Sequence, residues 1–271
     1  MWVFRVIDLH CHMLPGIDDG AADLEMALAM ARMAVEDGVR RLACTPHIYP
    51  GMYENTGDGI RVAIAKLQAE LDRHGIVLQL MQGADVHLQP NLVASIRAGQ
   101  IPTLNDSRYL LLEPPHHVAP PRFDESLFEL RMAGIVPVIT HPERLSWIED
   151  HYEAFIHAVA EGAWMQVTAG SLTGRFGRRA RYWGERMLDE GLVHLLATDA
   201  HDLGNRAPRL AEGRDAAALR VGEEEALRLV AARPQAIVDN APPDSVAAPA
   251  PARRTRAGER VRKLLKSVWD T

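Results

Sequence analysis

A parallel α/β fold is predicted for this 271-residue chain by three observations. Seven short apolar runs alternate with stretches of helical periodicity. The runs are unbroken, not alternating, as strands buried on both faces should be. Five helical stretches end in a glycine followed at once by an apolar residue, at Gly38, Gly75, Gly134, Gly162 and Gly191. That is the left-handed cap of a helix passing into the next strand. The length suits one α/β barrel, which typically runs ~250 residues, or two small domains. Alternation alone leaves a closed barrel and an open doubly wound sheet undecided.

The first strand is VFRVIDLH, followed by a helix in DLEMALAMARMAVEDG, where Leu24, Leu28, Ala31 and Val35 recur at helical spacing. RLACTPH is the second strand, and GIRVAIAKLQAELDRHG repeats Ile60, Ile64, Leu67 and Leu71 as the second helix. LQLMQGADVH, YLLLEPPH, VPVITHPER, WMQVTAGS and VHLLATDAH complete the strands. The methionine-rich first helix is read as core. After Asn240 the character changes: residues 1–240 form the main body, 241–252 a Pro/Ala linker, and 253–271 a short basic segment. In that segment Val261, Leu264, Leu265 and Val268 fall on one helical face. It is read as a solvated tail or a helix packed on its own domain, or else as a contact for an anionic membrane surface or acidic partner.

Composition narrows the function. The chain carries a net −6, but residues 241–271 hold seven Lys/Arg against three Asp/Glu, so the body is acidic, near −10. The body therefore shows no footprint for nucleic acid. Two cysteines, Cys11 and Cys44, suggest no disulfide framework and fit a reducing compartment. No run resembles a signal peptide or a membrane span, so a cytoplasmic globular protein is expected.

The chemistry lies where the strands end. The first strand ends in His10 and His12, whose i, i+2 spacing places both on one face. The second ends in His47, the third in Asp85 and His87, the fourth in Glu113, the fifth in His141 and the seventh in Asp199 and His201. The carboxyl end of parallel strands is where both barrels and open sheets build their sites. One lone histidine there is ordinarily a hydrogen-bonded loop residue; the same feature on six of seven strands is a site. Imidazole and carboxylate converge on divalent metals. The candidate ligands outnumber the three or four that one ion needs, so two or three ions are implied. Manganese is placed first, with iron, cobalt and zinc as alternatives, since such donors accept all four and do not choose among them. Cys11 points away from its histidine neighbours and is read as core.

Arg144 follows His141 in HPER, Arg206 follows His201 in DAHDLGNR, and Arg175 lies in GSLTGRFGRR beyond the one strand with no ligand. Arginine's planar fork suits phosphate oxygens, so these three are candidate phosphoryl-binding groups. Neither cysteine begins a Cys-x5-Arg loop, and neither a G-x-S-x-G elbow nor a P-loop occurs.

Taken together, DLHCHMLPGIDDG, TPH, LLLEPPH, THPER, QVTAGSLTGRFG and TDAH resemble the PHP (polymerase and histidinol phosphatase) superfamily. Within it they are similar to the CpsB/CapC-type bacterial tyrosine phosphatases of capsule and exopolysaccharide loci, from about Val6 to about Asn240. The resemblance implies a distorted (β/α)7 TIM-like barrel with a trinuclear centre. It implies His10, His12 and Asp199 at the first metal, Glu113 and His141 at the second, and Asp18, His47 and His201 at the third. Asp85 stands where a longer bridging glutamate is usual, and TPHI stands where TPHH is common. Asp19 is left to a turn, and His87 to a structural role. Implied too is hydrolysis of phosphotyrosine, with a substrate in the tyrosine-rich tail of a membrane-bound bacterial tyrosine kinase; Arg144 and Arg206, from their place beside the ligand strands, are expected to be the catalytic arginines. A peripheral location at the inner membrane through residues 253–271 and assembly into a homo-oligomer would fit that address. The competing readings are another metal phosphoesterase acting on a small phosphate or nucleotide, a different metal-dependent amidohydrolase, and a catalytically weak scaffold for polysaccharide assembly.

Overall fold

The computed structural model describes residues 6–252. The expected opening of the first strand and the whole basic tail, 253–271, lie outside the described residues. In chain order the elements are β1 (Val6–Cys11), α1 (Leu24–Glu36), β2 (Val39–Cys44), β3 (His47–Ile48), α2 (Gly57–Arg73), β4 (Gln79–Gln82) and β5 (Asp85–His87). Then come α3 (Leu92–Arg97), β6 (Tyr109–Glu113), α4 (Phe123–Met132), β7 (Val136–Thr140), α5 (Ile148–Ala160), β8 (Trp164–Thr168), α6 (Ala169–Leu172) and α7 (Gly177–Asp189). The last are β9 (Leu195–Ala197), α8 (Ala211–Val221), α9 (Glu223–Leu227) and α10 (Arg233–Val238).

Each expected strand is present, and every named strand pairing is parallel. Two of the seven runs are interrupted, so the described residues form nine strand segments in two sheets, β1-β2-β4 and β3-β5-β6-β7-β8-β9, and not one closed barrel. The interruptions have a local cause. Pro46, between β2 and β3, has no N–H to give to a ladder. Gly83, between β4 and β5, fits against Thr45 and Leu104, where a Cβ would approach each to 2.9 Å. The first and last strands meet at a bridge between Cys11 and Ala200. His12 N donates to Ala200 O at 2.9 Å and Asp199 N to His10 O at 2.8 Å.

Helix α1 begins where Asp23 accepts from Met26 N, and α2 where Thr56 accepts from Gly59 N, so a side-chain oxygen satisfies one free N–H at each end. The buried face of α1 is Ala27, Leu28, Met30, Ala31 and Ala34. Met30 is core as expected, while Leu24, in the first turn, is 37% exposed. On β6, β7 and β9, Tyr109 and Leu111, Val136 and Val138, and Leu195 and Ala197 share one apolar cluster. Two residues further along the same faces of β6 and β7 come Glu113 and Thr140, and Asp199 follows just past β9, so the apolar floor passes directly into the polar strand ends.

The Pro/Ala segment lies against the body instead of standing free. Arg233, 1% exposed, donates to Ala247 O at 2.9 Å, to Ala248 O at 3.0 Å and to Glu225 at 2.6 Å. Ala250 N donates to the same Glu225 carboxylate at 3.2 Å. A buried guanidinium needs every donor answered, and this segment's carbonyls supply the answer. No helix among the described residues is long and apolar enough to cross a membrane.

Candidate metal centre

Parallel pairing brings the predicted residues together in a defined order. His47 is registered beside Asp85, and His87 beside Glu113. His10 and His12 project from β1 as their spacing requires, both fully buried. His141 and Asp199 sit just past β7 and β9 at φ 34° and 50°. Both occupy the left-handed region that non-glycine residues avoid, and such strain gathers at functional sites.

The histidines are oriented from behind. His12 Nδ1 donates to Asp18 Oδ2 at 2.8 Å, and His10 Nδ1 lies 2.9 Å from Gln166 Oε1. His201 Nδ1 donates to the backbone oxygen of Asp199 at 2.9 Å. With Nδ1 protonated in each ring, the Nε2 lone pairs are turned into the centre. Two of them, on His10 and His12, are 3.1 Å apart. Facing lone pairs repel unless a cation or proton lies between them. Both oxygens of Asp85, Nδ1 of His47, Nδ1 of His141 and Nε2 of His201 are also buried without a hydrogen-bond partner. These donors fit divalent metal ions, and they form overlapping groups whose ligand atoms lie within 4.8 Å of one another. The groups are His12, Asp19, His47 and His201; His10, His12 and Asp85; His10, His141 and Asp199; Glu113, His116 and His141; and His47, Asp85 and Glu113.

Asp85 lies at the centre. Its Oδ2 is 3.4 Å from His10 Nε2, 3.7 Å from His47 Nδ1 and 3.7 Å from His141 Nε2. Asp18 is turned differently from the ligand role the resemblance implies. Its carboxylate accepts from His12 Nδ1, from Gly20 N at 3.0 Å and from His47 N at 3.1 Å. The neighbouring Asp19 faces the centre, with Oδ1 3.5 Å from His47 Nε2 and 3.4 Å from His201 Nε2. Gly20 makes this turn feasible: a Cβ there would meet His12 O at 2.0 Å. Two further residues complete the set. His116 Nε2 lies 3.1 Å from Glu113 Oε1, and Gln166 comes from the one strand that offers no ionisable ligand.

The field within the centre is strongly negative. Burial lowers the pKa of His10, but Asp85 and Asp199 override it and raise it to about 9. Burial likewise opposes the charge on His47, yet Glu113 and Asp85 lift it to about 10. Burial pushes Asp199 up, but Arg206, His10 and Arg144 hold it well below the usual carboxylate range. Such a site gains from any added cation. His141 and His201 are both held down to about 4, chiefly by burial, and His141 also by the positive charge of Arg144. Both are neutral donors at neutral pH.

Beside the centre opens a cavity of about 480 Å³, lined among others by Asp19, His47, Glu113, His141, Arg144 and Arg206. Arg144 pairs with Asp199 Oδ2 and packs its guanidinium 4.4 Å from the Phe176 ring centroid. Arg206 reaches the same oxygen at 2.7 Å. Two forks thus meet on one carboxylate at the cavity wall. Arg175 does not line the cavity; it pairs with Glu212. His87 lines the cavity with its ring stacked on Tyr49, centroids 3.8 Å apart.

Comparison with known proteins agrees with this geometry. Residues 6–239 match the family described as capsular polysaccharide synthesis, CpsB/CapC. The chain is 38% identical over 203 residues to the tyrosine-protein phosphatase YwqE of Bacillus subtilis (strain 168), covering 74% of this chain and 79% of that one. It is 30% identical over 244 residues to the tyrosine-protein phosphatase CpsB of Streptococcus agalactiae serotype V, covering 87% and 99%. A crystal structure from work on YwqE of Bacillus subtilis and CpsB of Streptococcus pneumoniae, metal-dependent tyrosine phosphatases, superposes with a TM-score of 0.85 at 31% identity, covering 92% of this chain and 100% of that one. The lactonase Lmo2620 of Listeria monocytogenes shares the fold alone, at a TM-score of 0.52 and 13% identity over 91% of this chain and 96% of that one. With its model spanning nearly all described residues and its relatives at this level of identity, the chain belongs to the CpsB/CapC family.

Proposed function

We propose that this chain is a metal-dependent phosphomonoester hydrolase acting on phosphotyrosine in protein, in the service of capsule or exopolysaccharide synthesis. The observation that carries it is the pair of facing imidazole nitrogens, 3.1 Å apart, beside two guanidiniums that converge on Asp199 at the wall of one cavity. A cation site joined to a pair of guanidiniums is the equipment of metal-assisted phosphate hydrolysis. The tyrosine specificity rests on the names of the relatives.

His10, His12 and Asp199 would hold one ion, Glu113 and His141 a second, and Asp19, His47 and His201 a third, with Asp85 within reach of His10 and His141. Manganese is our first choice among the divalent metals that imidazole and carboxylate accept, with iron, cobalt and zinc as alternatives. Bound there, such ions supply Lewis-acid charge and a water of lowered pKa. The remaining work falls to the chain. Asp18 and Gln166 keep His12 and His10 in the tautomer that donates inward. Arg144 and Arg206, already oriented by Asp199, bind phosphoryl oxygens in bidentate fashion and offset the charge that builds on them. The tyrosyl oxygen leaves as a phenolate, whose conjugate acid has a pKa of ~10, so no strong general acid is needed.

The two sheets, joined at the Cys11–Ala200 bridge, are read as one distorted seven-stranded barrel with this centre at its carboxyl end. The substrate is assigned to the tyrosine-rich tail of a membrane-bound kinase, and residues 253–271 to contact with the membrane surface that carries it. The test is a substrate panel with added Mn²⁺: phosphotyrosine peptides against sugar phosphates, nucleotides and phosphoserine peptides. Preference for phosphotyrosine is expected; equal or better turnover of a small phosphate would overturn the reading.

A further inference from the structure

We infer that the turn Tyr49–Tyr53 is a preformed seat for the aromatic ring of the substrate, selecting aryl over alkyl phosphate esters. The inference rests on the phosphomonoester reading above and names what that reading leaves open: which part of the chain recognises the leaving group.

The cavity has a deep end and a mouth. Asp199 and His141, at 1% and 2% exposure, mark the deep end beside Arg144 and Arg206; Met52 and Val118, at 63% and 67%, mark the mouth. A phosphoryl group held at the arginines must therefore send its ester oxygen, and whatever that oxygen carries, outward past the residues between. Those residues are Tyr49, Met52, Tyr53, Pro115 and Val118, with His116 and His117 beside them. Apart from the two imidazoles, each offers chiefly an apolar or aromatic surface. The cavity's charged side chains belong to the deep end, apart from Asp19. A sugar or nucleotide leaving group would need polar partners at this level; a phenyl ring needs flat carbon and sulfur surfaces.

The turn is rigid in the way a seat must be. Tyr49 N donates to Tyr53 O at 3.0 Å and Tyr53 N to Tyr49 O at 2.8 Å, with Met52 N on Tyr49 O at 3.0 Å. Gly51, at φ 82°, supplies the left-handed residue that this closure requires. Asn55 Nδ2 ties the turn to the centre by donating to Ile17 O at 3.0 Å and His47 O at 2.9 Å. The two tyrosine rings are fixed as well. Tyr53 lies at 15° to the His47 ring with centroids 5.5 Å apart, and Tyr49 lies at 7° to His87. Each tyrosine therefore has one face committed to a histidine. Met52, flexible and exposed, adds a thioether able to meet a ring edge. A preorganised platform loses little entropy on binding, so its contacts appear as selectivity.

The test uses non-hydrolysable probes on the metal-loaded, full-length protein: phenylphosphonate and methylphosphonate, titrated calorimetrically. The wild type should bind phenylphosphonate at least tenfold more tightly. Tyr53→Ala and Met52→Ala should each cut that preference by about two- to tenfold, with methylphosphonate affinity unchanged, and Tyr53→Phe should keep it. Metal content is measured for every variant. If Tyr53→Ala loses metal through its contact with His47, Met52→Ala decides the matter. A phenyl preference that survives both alanine variants overturns the seat. So does an equal loss of both phosphonates at constant metal, which would mean a damaged phosphoryl site. A wild type that binds neither phosphonate overturns the phosphomonoester reading, and the seat with it.

Discussion

Replacing Arg144 with alanine separates the phosphoryl site from the metal centre, because the structure gives the two roles different supports. Arg144 shares Asp199 with Arg206, so its removal leaves that buried carboxylate still paired at 2.7 Å. The guanidinium also forfeits its stack on Phe176, a contact worth roughly 0.5–2 kcal/mol. A stability loss of about 1–2 kcal/mol follows, a fall in Tm of roughly 2–8 °C for a chain of this size. No metal ligand is removed, so metal content should stay at the wild-type level. Activity should fall far more. A preorganised donor aimed at developing charge contributes ~10²–10³ in kcat, or about 2.7–4 kcal/mol. The assay is phosphate release from a phosphotyrosine peptide at saturating Mn²⁺, with metal analysis of the same samples. Arg144→Lys keeps charge without the fork and should recover only part of the loss. Turnover within threefold of wild type would refute the direct role. Activity lost in proportion to metal would show that Arg144 acts only through Asp199.

Other consequences are as direct. Asp19→Asn should lower metal stoichiometry, since Asp19 faces the His47 and His201 nitrogens, while Asp18→Asn should mainly weaken affinity by releasing His12 from behind; metal titration of both variants distinguishes them. Gly20→Ala would drive a methyl into the His12 backbone, so thermal denaturation should show a clear loss of stability together with reduced metal binding. Arg233→Ala takes the buried guanidinium from the 3%-exposed Glu225, which keeps only the part-exposed Arg228 at 3.2 Å and Ala250 N, and it releases the carbonyls of Ala247 and Ala248; a loss of about 1–3 kcal/mol is expected by denaturant titration, with metal content retained. His194 is buried and held down to about 3, first by burial and then by Arg233. The unfolded chain takes up this proton near pH ~6.5 and the folded chain does not, so stability falls as pH drops below that value. The fall attributable to this one residue reaches about 2 kcal/mol by pH ~5, and His194→Gln should flatten that part of the profile.

Much of the centre was legible because parallel strands point their carboxyl ends one way. Residues far apart in sequence, His10, His47, Asp85, Glu113, His141 and Asp199, then converge without any knowledge of packing. What could not be read depended on backbone direction within a turn. Asp18 and Asp19 are chemically identical, and only the path fixed by Gly20 against His12 decides which faces the centre. His116 lies past the end of β6, so only the loop's course brings it back to Glu113. Gln166 escaped notice because an uncharged amide carries no signal until its partner is known. Arg175 shows the opposite error: a suggestive neighbourhood, yet its charge is answered by Glu212, and it is the adjacent Phe176 that packs on Arg144. In the fold, the alternation of elements was plain, but the break at Pro46 and Gly83 and the docking of the Pro/Ala segment on Arg233 are tertiary facts.

Metal stoichiometry of the purified full-length protein, reconstituted with Mn²⁺ and passed through a desalting column, tests the central claim most directly. The account predicts two to three ions per chain for the wild type and a loss of at least one in Asp85→Asn, whose carboxylate stands among His10, His47 and His141. A wild type that retains no transition metal would contradict it.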